Sequence, residues 1–299
     1  MSTSTLALEI RRVGGIARVL DFVDLTRPRI SAMVLITVTV GAFVAASGLP
    51  PPLLLFHALA ATALVAASAG AFNQWLEREA DALMPRTAGR PLPSGRLQTG
   101  ETIAFGLATL ALGLTYLAAA VNVLTAGLGL ATWLLYVCVY TPLKSRTPAN
   151  TAVGAVAGAL PILMGWTAVG GRLDLEAATL FLIVYLWQFP HFMAIAWIYR
   201  KEYALAGMKM LPVVDPTGRR AGTQAVVSAA ALLAVSLVPA LRLGEPGYLV
   251  GALALGLGQV VLAAVFCQRL DEQSARGLLR ASLIYLPALL ILLMLTPWM

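Results

Sequence analysis

Nine stretches long and apolar enough to cross a lipid bilayer take up most of this 299-residue chain, and they limit its fold more than any other feature. They fall at about 30–48, 52–75, 102–120, 122–140, 151–170, 177–199, 223–241, 247–267 and 280–298. The expected fold is all-α and polytopic, with about nine transmembrane helices. A composition of 59% apolar and only 12% charged residues, with a mean hydropathy of +0.83, is that of a membrane protein and excludes an ordinary soluble domain. Almost nothing polar separates the third and fourth stretches, so a tight turn is expected near Asn122.

Residues 1–28 carry arginines and acids, with no hydrophobic core and small-residue cleavage site. They are read as a cytoplasmic N-terminal segment, with the first span itself directing insertion and residues 29–299 forming one membrane-embedded domain. No repeat or linker divides that domain. Of the 21 Lys and Arg residues, 19 fall on the N-terminal segment and alternate connections, leaving Arg172 and Arg242 for the other side. By the positive-inside rule the N-terminus is cytoplasmic and the C-terminus external, in a bacterial inner membrane. The net charge of +7 then reflects topology and a binding site, with no case for nucleic acid. Cys138 and Cys267 lie within apolar stretches, so no disulfide framework or thiolate metal site is indicated.

Small residues are frequent inside the spans, as in Gly154–Gly158 and 66–71, and permit close helix packing. Pro161 and Pro190 each remove a helical hydrogen bond inside a span. Ordinary membrane packing explains the small residues equally well. Combined with charged span ends, the pattern predicts a bundle around an internal cavity open toward the cytoplasm.

The polar residues that carry chemistry gather on the side where the arginines are. Asn73, Glu77 and Asp81 recur every four residues and share one helical face, while Glu79 points elsewhere. Arg86 and Arg90 follow closely. Carboxylates suit a divalent cation and arginines clamp phosphate oxygens, so together they suit a metal-diphosphate. A solvated helix end is the plain alternative, although polar groups in a span are costly unless used. Lys144, set near the membrane by Pro142, is a candidate phosphate contact; Arg146 is as readily a topology signal. A third segment holds Trp187, His191 and Phe192, followed by Tyr199, Glu202 and Tyr203. His191 is either a hydrogen-bonded structural residue or a ligand, whereas His57, with no accompanying motif, reads as structural.

These residues resemble the protohaem IX farnesyltransferase (haem O synthase) branch of the UbiA-type intramembrane prenyltransferases. The likeness rests on Arg27-Pro-Arg29, on Asn73-x3-Glu77-x3-Asp81-x2-Met84-x-Arg86-Thr87-x2-Arg90, on Tyr140-Thr-Pro-Leu-Lys144, on Pro190-His191-Phe192 and on Met210-Leu-Pro212. It implies a nine-helix UbiA-type bundle around a central cavity, Mg²⁺ as cofactor, farnesyl diphosphate as donor and haem b as acceptor. Asn73, Glu77 and Asp81 match the family's Asp-rich metal motif, with Glu at 77 where Asp is usual. Catalytic roles are implied for these three and Lys144, and diphosphate binding for Arg29, Arg86, Arg90, Lys144 and Arg146. Haem binding is implied for His191, Trp187, Phe192, Tyr199, Tyr203 and Glu202. Haem A synthase or terminal-oxidase assembly factors are the implied recipients of the product.

Two other enzymatic readings use a quinone precursor or a chlorophyll-type tetrapyrrole as acceptor. After the sixth span only Lys201-Glu202-Tyr203 stands where quinone-precursor enzymes carry a second acidic motif. A transporter would place charges near the membrane midplane, whereas here they collect at one face. The charge asymmetry makes a topological prediction. A cysteine placed at Ser94 should resist a membrane-impermeant maleimide in intact cells and react in inverted vesicles; labelling of intact cells would reverse the orientation.

Overall fold

The computed structural model describes residues 15–296. Arg11 and Arg12, the first half of the expected N-terminal segment, and the end of the expected ninth span lie outside the described residues. Those described are helical with short connections and contain no strand. Nine helices among them are long and apolar enough to cross a membrane: Pro28–Ala45, Pro52–Ala82, Thr99–Ala120, Val123–Leu143, Asn150–Ala168, Leu175–Ile198, Arg219–Leu241, Pro246–Arg269 and Glu272–Leu295. These are spans one to nine below. Residues 15–25 form a further helix before span one.

Two boundaries differ most from the hydropathy reading, because helix continues well past the apolar stretch. Span two runs to Ala82, so Asn73, Glu77 and Asp81 stand on one rigid helix. Span nine begins at Glu272, where the Asp271 carboxylate accepts from the Ser274 N–H at 2.7 Å and satisfies an otherwise orphaned donor. Between spans three and four the chain turns at Val121 and Asn122. The Asn122 side chain caps span four by accepting from Thr125 N at 2.8 Å.

Span four is not uniformly α-helical. Leu134–Tyr140 forms a π-helical segment in which the Thr141 N–H bonds the carbonyl of Tyr136, five residues back. Pro142, which lacks an N–H, follows immediately. Thr141 Oγ1 also donates to the Tyr136 carbonyl, at 2.8 Å, securing the wide turn. Rare segments of this kind re-aim side chains near functional sites, and this one carries Tyr136 and Tyr140 to the cavity wall.

Lipid supplies no hydrophobic drive for helix association, so close backbone approach must serve instead. Spans one and five meet this way through reciprocal glycines. A Cβ on Gly41 would lie 2.0 Å from the Ile162 carbonyl oxygen, and one on Gly165 would lie 1.9 Å from that of Val38. In span five Gly158 makes room for the Gln188 amide and Gly154 for the Tyr140 ring. Pro161 and Pro190 both lie within continuous helices. Gly165→Val should therefore destabilise the protein in detergent by more than the usual ~1–3 kcal/mol of overpacking, because backbone must move. Gly127→Ala, with nothing near its Cβ, should leave the melting temperature unchanged or higher. Equal melting temperatures for both variants would refute the backbone-contact account.

Candidate active site

Span two places its acidic stripe inside the protein. Asp81 is 1% exposed and Glu77 8%, whereas the Glu79 side chain is 86% exposed and pairs with Arg78. Buried carboxylates carry a desolvation cost of several kcal/mol unless paired, and both have cationic neighbours. Glu77 Oε1 lies 2.7 Å from Lys144 Nζ, and its other oxygen 3.9 Å from Arg27. Arg90 donates to Asp81 Oδ2 at 2.5 Å. Thr87 Oγ1 donates to the Asp81 carbonyl at 2.8 Å, folding the connection after span two back onto the helix end. Asn73 is fully buried; its amide donates to Thr141 Oγ1 at 2.8 Å, fastening span two to span four just past the π-helical segment.

Four cations, Arg27, Arg86, Arg90 and Lys144, line one cavity with the two carboxylates. The remainder of its wall includes Thr87, Tyr140, Asn150, Phe192, Tyr203, Met208 and Met210. Burial alone would lower the Lys144 pKa, but the Glu77 carboxylate and then the Tyr140 and Tyr136 phenols outweigh it, so it is raised and the ammonium persists. Burial, and next the like charge of Arg27, push the Arg90 pKa down; a guanidinium nonetheless stays protonated. Lys144 Nζ also sits 4.5 Å from the Tyr140 ring centre, and the Arg86 guanidinium 4.8 Å from that of Tyr199. With more cations than carboxylates, the mouth is suited to a polyvalent anion.

A second cavity of about 430 Å³ opens from this mouth and is mostly apolar. Arg27, Ile30, Tyr140, Lys144, Phe192 and Ile195 line both. Its depth is walled by Val34, Val65, Trp133, Tyr136, Gly158, Pro161, Met164 and His191, among others. His191 Nδ1 lies 2.8 Å from Ser282 Oγ, and its ring stacks on Trp187 at 4.8 Å between centres. Trp187 donates to the Ser282 carbonyl at 2.7 Å and lies behind His191, lining neither cavity.

The structure thus assembles Glu77, Asp81, Arg86, Arg90 and Lys144 at the mouth, with Phe192 and Tyr203, and sets His191 in the apolar chamber. Other expected site residues fall elsewhere. Arg29 is exposed and lines neither cavity, because Arg27 turns inward in its place. Arg146 is likewise exposed beyond the turn that holds Lys144, and Glu202 and Tyr199 also line neither cavity. Asn73 sits behind the mouth. Arg27 stands immediately before Pro28 with φ 52°, a left-handed conformation uncommon for a non-glycine residue. Its signal in sequence was the Arg-Pro-Arg triplet. Tyr136, Asn150 and Met208 had no such signal. His57 bonds the Tyr116 hydroxyl at 2.8 Å and is structural.

For a metal, Asn73 Oδ1 and Asp81 Oδ1 are buried without a hydrogen-bond partner. No group of three or more His, Cys, Asp or Glu among the described residues could hold an ion alone. That donor set fits Mg²⁺ sharing its ligands with phosphate oxygens and water, since Mg²⁺ is commonly held by one or two carboxylates plus a substrate phosphate.

The model of the UbiA prenyltransferase family matches residues 34–295. A relative named protoheme IX farnesyltransferase, from Solibacter usitatus, is 45% identical over 89% of this chain and 95% of its own. Another of that name, from Koribacter versatilis, is 42% identical over 99% of both. Among solved structures, a digeranylgeranylglyceryl phosphate synthase superposes with a TM-score of 0.80 at 17% identity, over 94% of this chain and 99% of that one. A UbiA homolog from Archaeoglobus fulgidus bound to DMAPP and Mg²⁺ gives 0.66 at 17% identity, over 92% and 99%. These structures share the fold.

The inward Arg27 and outward Arg29 give a sharp test. Arg27→Leu should weaken binding of Mg²⁺-pyrophosphate by roughly 10- to 100-fold, the worth of a hydrogen bond to a charged group. Arg29→Leu should change it less than about twofold, within the range of a surface charge. Titration calorimetry measures both, and the reverse ranking would displace Arg27 from the site.

Proposed function

The chain belongs to the UbiA prenyltransferase family, and from that premise we propose that it transfers the farnesyl group of farnesyl diphosphate to a vinyl group of haem b, giving haem O and pyrophosphate. The observation that carries this reading is the joining of a cationic, carboxylate-bearing mouth to an apolar chamber through shared residues. An amphiphile with a diphosphate head and an isoprenoid tail has that polarity. The relatives named for this activity match over nearly their whole length.

Arg27, Arg86, Arg90 and Lys144 take the diphosphate oxygens and stabilise the charge that grows there as the C1–O bond breaks. Mg²⁺, when bound, neutralises part of that charge as a Lewis acid, with Asp81, Glu77 and Asn73 as the residues to hold it. The bond's electron pair leaves with pyrophosphate. Tyr136, Tyr140, Trp133 and Phe192 wall the place where the allylic cation forms; their ring faces favour cations and their bulk excludes water. The vinyl π electrons of haem b then form the new C–C bond to C1. Water adds to the cation left on the porphyrin side and loses a proton, so no protein nucleophile is required. His191, with Nδ1 occupied by Ser282, has Nε2 left to meet the haem, while Phe192 and Tyr203 would flank it.

From the distribution of Lys and Arg we place the mouth on the cytoplasmic side of a bacterial inner membrane, within one membrane-embedded domain. Haem O would pass to haem A synthase or terminal-oxidase assembly factors. Purified protein given haem b, farnesyl diphosphate and Mg²⁺ should yield a product with the mass of haem O, and its absence would defeat the proposal. Glu77→Gln and Asp81→Asn should each cut turnover by roughly 100-fold or more, the scale of losing transition-state charge stabilisation. Glu79→Gln should leave turnover nearly unchanged, and equal losses at all three would reduce the stripe to a solvated helix end.

A further inference from the structure

The helix of residues 15–25 has two opposed faces. Arg18, Asp21, Phe22 and Leu25 turn toward the protein. Arg18 pairs with Glu101, Asp21 accepts from Arg96 Nε at 2.7 Å, and Leu25 is fully buried against Ala71, Leu92 and Leu97. Gln74 of span two donates to the Asp24 and Leu25 carbonyls at 3.1 and 3.2 Å, holding the end of the helix in place. The other face is apolar at helical spacing: Ile16, Val19, Leu20 and Val23 are 61, 62, 60 and 46% exposed. A helix docked on one side, with an apolar stripe on the other that none of the described residues covers, requires a second environment.

We propose that this stripe binds the bilayer surface, making residues 15–25 an interfacial lipid-binding helix outside the nine spans. Chain length supplies the main argument. Only Thr26 and Arg27 separate the helix from Pro28, where span one begins, so its end lies within about 11 Å of the membrane-entry point. After the stripe, Met33 and Ile36 on span one are exposed as well. Arg29 is exposed between the stripe and these two residues, where a cation suits an anionic headgroup. The inward face of the helix grips the connection that supplies Arg86 and Arg90, through Arg96, Leu92 and Leu97. Lipid contact on one side thus braces the charged mouth on the other.

The test uses the intact protein with Leu20→Trp in nanodiscs of phosphatidylcholine and phosphatidylglycerol. The added fluorescence, taken as the difference from the parent, should be quenched at least roughly threefold more by lipids brominated near the headgroup than by iodide, as expected for shallow burial in the interface. Stronger quenching by iodide would place the stripe in water, and protection from both quenchers would place it against protein; either result overturns the proposal. In a second arm, Ile16→Ser with Leu20→Ser should raise the apparent Kd for Mg²⁺-pyrophosphate several-fold in nanodiscs but not in detergent lacking a bilayer surface. Equal values in both media would remove the brace.

Discussion

A buried carboxylate in a membrane protein must be answered by charge, and the Glu77–Lys144 pair is where this fold answers it. Glu77 belongs to span two, Lys144 to the turn after span four, and Arg27 to the residue before span one. Removing either member of a buried pair leaves an uncompensated charge, a loss of about 3–5 kcal/mol. The pair therefore joins three distant segments of sequence at one point. Asn73 and Thr141 repeat the join one turn deeper with a neutral hydrogen bond. The wide π-helical turn of Leu134–Tyr140 ends immediately before these two ties, and Thr141, which closes it, is the residue that Asn73 holds.

Much of this was legible in sequence, for identifiable reasons. Hydropathy reads directly onto spans because the bilayer permits few alternatives, and period four reads directly onto one helical face. Boundaries were less legible where helix outran the apolar stretch, at Ala82 and Glu272, since termination depends on caps and not on hydropathy. The exchange of Arg29 for Arg27 turned on a left-handed backbone angle that a one-residue reading of Arg-Pro-Arg does not reveal. The expected haem residues scatter because closeness in sequence around Pro190 does not determine which side chain meets the chamber. Trp187 and His191 share a face, yet Trp187 turns its N–H to Ser282 and stands behind. Tyr199 sits under Arg86, at the break where span six ends.

The carboxylates and cations serve stability and chemistry at once. Each carboxylate is satisfied by a neighbouring cation, so the mouth is held in shape by the same groups that would receive an anion. Asp81 Oδ1 and Asn73 Oδ1 are among the buried oxygens left without a hydrogen-bond partner, and at this place they are available to a bound metal.

The glycine crossing of spans one and five has a consequence for size. Both spans line the apolar chamber on their mouth side, through Ile30, Ser31 and Val34 on one and Gly154, Ala157, Gly158, Pro161 and Met164 on the other. Beyond these residues the two backbones touch at Gly41 and Gly165. At that crossing the contact is made of main chain, with no side chain between the two helices to trim. Bulkier side chains along the walls can shorten the space open to an apolar tail. Trimming side chains cannot part the two backbones where they already meet, so the separation of spans one and five is fixed by main chain.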